Sequence, residues 1–331
     1  MAGPLRFRRS NADWTRNRVR EALLAPLEDR FGARLSEPWF AVGDDRYDAV
    51  RLEMDNGDIA LFCFRPGRAY WLGNTETPEP LWRTNKETFS EAPDPVSRWA
   101  QRELTARIEV TDPWLADYEH LTWFFLPVFC SKDGRETTRR FFAEDAAGFP
   151  DADADAGLSF YESLLESGRL DDDRYTMAAK LGTSAGYDVT RMRATMSEFT
   201  VAKLFVDAGL DFDPEVEQES GHALDFAVDG RLVEVTRPEP PARRTHADHP
   251  VAAVEETGRA KRSEQLAAHP EAALFVDCTS FTDAEWSAVA AERPTVGHEP
   301  TVVFRARPSG HIEGYRHGTL PFDLDGALST A

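Results

Sequence analysis

The stretch His222–Thr236, HALDFAVDGRLVEVT, decides how the second half of the chain is read. Two runs that alternate with a period of two flank Asp229-Gly230, and Asp-Gly between such runs is a strong hairpin signal. A two-residue loop pairs Val228 with Arg231, and the register counts outward from there. Phe226 then faces Val233, Leu224 faces Val235, and Asp225 faces Glu234. One face is apolar, made of Leu224, Phe226, Val228, Val233 and Val235. The other carries Ala223, Asp225, Ala227, Leu232, Glu234 and Thr236.

Directly opposed residues on one face have Cβ atoms about 4.5–5.5 Å apart, and like charges there destabilise a sheet. A hard divalent cation such as magnesium offsets the repulsion of two carboxylates, because it prefers oxygen ligands. A solvated strand face, or an acid paired with an Arg, offsets it as well. Taken alone the hairpin favours the solvated face; its neighbours in sequence shift the balance.

A chain of 331 residues can bury a substantial core and suits two domains better than one. No apolar run approaches a membrane span, and the Arg-bearing N-terminus lacks the apolar core of a signal peptide. The expectation is a soluble cytoplasmic protein with no membrane partner. Cys63, Cys130 and Cys278 are few, odd in number and far apart, which indicates neither a disulfide framework nor a zinc site.

The net charge of −20 comes from 58 acidic against 38 basic residues. Lysine is confined to Lys86, Lys132, Lys180, Lys203 and Lys261. An acidic, lysine-poor yet ordinarily hydrophobic chain resembles the proteins of salt-loving archaea. On that halophilic reading the global charge reports the solvent and does not exclude nucleic acid.

Seven of the eight tryptophans precede residue 124, and seven of the eight histidines follow residue 220, so the two halves are built differently. Residues 1–143 read as a Trp-rich α+β domain without catalytic spacing. It has a helix over 13–31, strands at Trp39–Val42, Ala49–Met54 and Ile59–Phe64, and a turn at Asn56-Gly57. A helix near Val96–Ala106 follows, then a strand pair, Leu121–Cys130 and Thr137–Phe142, around Asp133-Gly134. The aromatic residues suit a core better than a base-stacking platform. Residues 144–157 (EDAAGFPDADADAG) read as an acidic linker. Asp151, Asp153, Asp155 and Glu162 hold positions one, three, five and twelve of a calcium loop, but Ala156 stands where the sharp turn needs Gly. A solvated linker is therefore preferred. Residues 158–194 read as a helical connector capping the next domain.

From Thr195 the order is regular. A helix opening at Ser197-Glu198-Phe199 ends at Gly209; Pro214–Glu219 is a candidate strand, and the hairpin follows. Arg237–Pro250 is a Pro-rich loop, Val251–Ala268 a helix, and Glu271–Asp277 a buried strand. The helix Asp283–Glu292 and the strand Thr301–Ala306 complete an αβββαβ order followed by αβ.

This order, with Glu198 in the first helix, Asp225 in the second strand and Glu234 in the third, resembles the PD-(D/E)XK nuclease superfamily over residues 195–306. The resemblance implies a restriction-endonuclease-like domain at 195–331. It makes Glu198 the first-helix acid, Asp225 the strand acid within Ala223-Leu224-Asp225, and Glu234 the acid of Val233-Glu234-Val235-Thr236. The family's lysine, two residues after that Glu and an orienter of the attacking water, is replaced by Thr236. Some members supply it from a neighbouring element. Lys261, with Gln265 one turn later, is the candidate; Lys203 lies about 140° around its helix from Glu198 and is a poorer one.

The resemblance implies Mg2+ or Mn2+ held by Asp225, Glu234 and the Val235 carbonyl, with Glu198 binding through water or a second ion. Lys261 would steady the water, and Gln265 or Arg262 would hold the phosphate. The segment 231–262 is locally positive (Arg231, Arg237, Arg243, Arg244, Arg259, Lys261 and Arg262) and suits a DNA backbone, with Arg237 and Thr236 as further phosphate-binding candidates. An incidental Arg-bearing loop is the other reading. His246 and His249 lack further ligands for zinc. Metal-dependent hydrolysis of DNA is thus expected, with a homodimer implied only if the substrate is a Holliday junction. Its rivals are a nuclease-like module that binds or scaffolds without cutting, which Thr236 favours, and an unrelated α/β interaction protein with solvated hairpin acids.

Overall fold

Asp229 and Gly230 both take positive φ, 50° and 74°, as a two-residue turn matched to the twist of its strands requires. Around that turn the computed structural model builds the second of two compact units, residues 1–135 and 136–331. It describes residues 6–82, 92–131, 134–150, 152–182, 186–217, 223–240, 249–263 and 265–331. The architecture is mixed α+β, with a five-stranded antiparallel sheet in the first unit and a seven-stranded mixed sheet in the second among the described residues.

In the first unit β1 (Arg6–Ser10) precedes α1 (Arg16–Val19), a π-helical turn (Arg20–Leu24) and α2 (Ala25–Phe31), which share the predicted 13–31 segment. Then come β2 (Arg34–Ser36), β3 (Asp48–Glu53), β4 (Ile59–Arg65) and β5 (Arg68–Gly73), in sheet order β1-β5-β4-β3-β2. Helices α3 (Glu79–Trp82), α4 (Asp94–Thr111), α5 (Glu119–Phe124) and α6 (Leu126–Phe129) follow. Trp14, Trp71 and Trp99 are buried, as a core role for the aromatics requires.

Two expectations fail here. Trp39–Val42 is irregular rather than a strand; its backbone is held by α4, where the Phe40 amide donates to Glu103 and Trp99 Nε1 donates to the Phe40 carbonyl. The same Glu103 forms a fully buried ion pair with Arg51 at 2.9 Å. The predicted strand pair at 121–142 is helical: α5, α6 and then α7 (Arg135–Glu144). A short run buried on all sides has no periodicity to separate strand from helix. Asp133, of the turn expected there, lies outside the described residues.

In the second unit the expected linker is folded in. Ala146, Ala147 and Phe149 are buried, and the Asp153 side chain caps α8 (Ala154–Leu165). Asp155 and Glu162 therefore sit on a helix and not in a calcium loop, while Asp151 lies outside the described residues. Helices α8 and α9 (Arg174–Leu181) pack on α10 (Val189–Asp207), which starts earlier than predicted, so Glu198 is mid-helix. Almost every turn of α10 is buried, as for a helix clamped between a sheet and other helices.

Strands β6 (Phe212–Glu217), β7 (Ala223–Val228) and β8 (Arg231–Thr236) form an antiparallel meander. Helix α11 (Pro250–Ser263) leads to β9 (Ala273–Asp277), and α12 (Asp283–Glu292) leads to β10 (Thr301–Ala306), so β8, β9 and β10 run parallel. Strands β11 (Ile312–His317) and β12 (Ser329–Thr330) complete the order β12-β11-β10-β9-β8-β7-β6. No described helix is long and apolar enough to cross a membrane.

Phe205 of α10 meets Phe212, Phe226, Phe275 and Phe322, joining helix to sheet. Leu224, expected beside Phe226, packs instead in the cluster containing Val251, Val254 and Trp286 of α11 and α12. The alternation of β7 thus breaks at Asp225. Because Phe205 is fully buried, Phe205→Ala should cost about 3–5 kcal/mol in urea unfolding; a loss under about 1 kcal/mol would show that this joint does not hold the second unit together.

Candidate metal centre

The hairpin register is observed as the turn dictates: Phe226 pairs with Val233, Ala227 with Leu232 and Val228 with Arg231. One step further Asp225 and Glu234 stand opposite, but they form no ladder pair. The Val235 amide donates instead to Asp225 Oδ2 at 2.8 Å. On the other side, Pro214 pairs with Phe226 and Val216 with Leu224, so Glu215 falls opposite Asp225. Glu215 also leaves the ladder, because it takes φ 57°, a conformation uncommon for a non-glycine residue. Three neighbouring strands therefore present Glu215, Asp225 and Glu234 at one level.

Glu198 joins them from α10. One carboxylate oxygen from each of Glu198, Glu215 and Asp225 lies within 4.8 Å of the others. Lys180 of α9 reaches into this group: its Nζ is 2.5 Å from Glu198, 3.8 Å from Asp225 Oδ1 and in an ion pair with Glu215. At the other end Lys261 of α11 donates to Glu234 at 2.6 Å and to Gln265 at 2.5 Å. The Glu234 side chain is only 1% exposed, and its Oε2 has no hydrogen-bond partner among the described residues.

Four carboxylates thus share two ammonium groups in a largely buried cluster, and the protons respond. Burial first, then the Asp225 charge, push Glu198 up to about 8 against the pull of Lys180. Glu234 is pushed up to about 7 by burial and by Asp225, with Lys261 opposing. Burial also raises Asp225, against Lys180, the Val235 amide and Lys261. Burial disfavours the charged Lys180, yet Glu198 and Asp225 overcome it and hold its pKa above the ordinary lysine value.

Of the residues singled out in sequence, Glu198, Asp225, Glu234, Lys261 and Gln265 converge here. Val235 contributes its amide to Asp225. Thr236, two residues after Glu234, is buried in β8. Arg237 is no phosphate ligand: it is buried, donating to Ser280 Oγ and to the carbonyls of Arg193 and Gly148, with Asp277 at 3.4 Å. A guanidinium turned inward on four internal oxygens, with its side chain 3% exposed, is not presented to DNA. Arg262 is exposed, with its guanidinium beside Gly297. Lys203 pairs with Asp207 on its own helix. Arg243, Arg244 and His246 lie outside the described residues, and the ring of His249 accepts from the Val251 amide.

Sequence reading missed Lys180 and Glu215. Lys180 lies in the segment taken as a connector. Glu215 lies on a strand whose predicted face took no account of a positive φ. One signal was available for Lys180, the scarcity of lysine itself.

The raised carboxylates fix a sign. Both Glu198 and Glu234 hold protons in the folded chain that the unfolded chain has released above the ordinary value of 4.5. The stability they contribute is therefore full below that value and is lost as pH climbs through about 7 and 8. In chelator the urea midpoint should fall between pH 5 and pH 8, and the double change Glu198→Gln with Glu234→Gln should flatten the slope. A wild-type midpoint that rises over that interval would contradict this electrostatic picture.

No curated protein and no solved structure matches the chain. A family of unknown function (DUF5784) matches residues 2–324, a span that takes in both compact units and every residue of the acidic row. The protein belongs to that family of unknown function (DUF5784).

Proposed function

We propose that the second unit is a Mg2+- or Mn2+-dependent phosphodiesterase acting on DNA, related in plan to the PD-(D/E)XK nucleases. The observation that carries the reading is the row of Glu215, Asp225 and Glu234 on adjacent strands, with Glu198 beside it. The element order α10-β6-β7-β8-α11-β9 agrees with it, since Glu198, Asp225 and Glu234 lie on the helix and strands where that plan has its acids, while Glu215 is additional to it.

The donor set fits a hard divalent ion. All four groups are carboxylates, and hard cations favour oxygen at about 2.0–2.6 Å. Oxygens on opposite sides of such an ion stand roughly 4–5 Å apart, and the oxygens of Glu198, Glu215 and Asp225 all lie within 4.8 Å of one another. Glu234 Oε2 is buried without a hydrogen-bond partner among the described residues, an oxygen that a bound cation would engage.

When bound, the ion would supply a Lewis acid for the phosphate and a water of lowered pKa. The chain's own groups do the rest. The Val235 amide fixes Asp225, and Lys261 fixes Glu234 while Gln265 orients Lys261. In this reading Lys261 takes the part of the missing motif lysine, reaching the same glutamate from a helix. Arg259 and Arg262 are exposed on α11 and suit contact with the DNA backbone. A module that binds metal without cutting is the second reading, favoured by Thr236 at the lysine position.

With plasmid DNA and Mg2+ or Mn2+, the full chain should cleave. Asp225→Asn or Glu234→Gln should lower the rate at least roughly 100-fold, and Lys261→Ala roughly 10- to 100-fold. Cleavage that survives both acid changes removes these residues from the reaction. Saturable metal binding with no cleavage of DNA selects the second reading.

A further inference from the structure

We propose that Lys180 is a built-in counter-cation standing in the seat of the divalent ion, and that Glu215 is the ligand it releases when the ion binds. The proposal rests on the metal-binding reading above and goes beyond it: neither residue belongs to the motif that suggested the site.

The geometry is that of one position contested by two cations. The Lys180 ammonium touches Glu198 and Glu215 and stands 3.8 Å from Asp225, and these are the three groups whose oxygens cluster within 4.8 Å. An ion coordinated by that trio and the Lys180 Nζ cannot share the space. Lysine leaves more easily than a strand or helix would. Its ammonium sits on a flexible four-carbon stem, and its side chain is 23% exposed, so a route to solvent is open.

The backbone beneath it stays put. Arg191 donates to the carbonyls of Lys180 and Gly182 at 2.9 and 3.1 Å, and Thr195 Oγ1 donates to that of Lys180 at 3.4 Å. Displacement is therefore a swing of one side chain, with α9 as the anchor. Glu215 is aimed at the seat by its positive φ, which takes it out of the ladder with Asp225.

The second observation is independent of this trio. With both lysines in place, Glu234 still has one buried oxygen without a hydrogen-bond partner among the described residues, so the two lysines leave a carboxylate oxygen unused. A divalent ion brings the additional coordination. The arrangement also makes ion entry selective. A monovalent ion offers no more charge than the tethered ammonium it would replace, whereas Mg2+ or Mn2+ does.

Isothermal titration of Mn2+ into the metal-free full chain tests the proposal. Lys180→Met should bind Mn2+ more tightly than wild type, by roughly 5- to 150-fold, the usual range for two coupled binding events. Its metal-free form should melt lower, with the difference shrinking in saturating Mn2+. Glu215→Gln should bind more weakly by a comparable factor. Equal or weaker binding by Lys180→Met, or no Mn2+ binding by either chain, overturns the proposal. Should Lys180→Met not fold, reductive methylation of wild type decides: mass spectrometry should show Lys180 modified faster with Mg2+ than without. An unchanged or slower rate overturns it. DNA left uncut while Lys180→Met tightens binding refutes the nuclease reading alone; cutting with unaltered Mn2+ affinity refutes this one alone.

Discussion

Repulsion between carboxylates held at one level of a sheet is the constraint from which the rest of the second unit follows. Strand neighbours cannot retreat from one another, because the ladder on either side fixes their spacing. Glu215, Asp225 and Glu234 are in that position, and the chain answers in three ways. Two of the acids leave the regular ladder, one through a positive φ and one through a bond to the Val235 amide. Protons are retained on Glu198 and Glu234 well above ordinary carboxylate values. Two of the five lysines in the whole sequence are spent on the cluster, one from each side.

Holding such a cluster requires a rigid frame, and the hydrophobic packing supplies it. Helix α10 is buried nearly all round, so Glu198 projects from an element that cannot rotate away. Phe205, two turns further along α10, ties the helix to β6, β7 and β9. On the opposite face α11 and α12 cover Leu274, Val276 and Val303, which sets the height from which Lys261 reaches Glu234. Arg237 closes the frame by joining the strand end to Gly148, Arg193 and Ser280. Its charge serves the fold.

The parts of this that were legible in sequence are those set by local rules. Asp229-Gly230 dictated the turn, and the turn dictated the register that brings Asp225 opposite Glu234. Helix Asp283–Glu292 and strand Thr301–Ala306 were readable to the residue, and in the structure the former opens on a Thr282–Glu285 capping box. What was not legible depended on distant or exceptional features. Lys180 arrives from 45 positions before Asp225, and no spacing rule connects them. Glu215 became a site residue through a φ that its residue type does not announce. Arg237 read as an exposed cation because its partners at 148, 193 and 280 are remote in sequence. Residues 121–130 misled for a different reason: their apolar run is buried on nearly every side, and a buried helix then looks like a buried strand.

The central claim is that the acidic row exists to hold a divalent cation. A crystal structure of the full chain soaked in Mn2+, phased to reveal the anomalous signal of the metal, tests it most directly. The account predicts a strong peak bonded to Asp225, with carboxylate ligands from Glu198, Glu215 or Glu234 and the Lys180 ammonium moved out of the trio. Manganese bound elsewhere, or a row unchanged with Lys180 still in place at saturating metal, would contradict it and leave the four acids as a lysine-neutralised structural cluster.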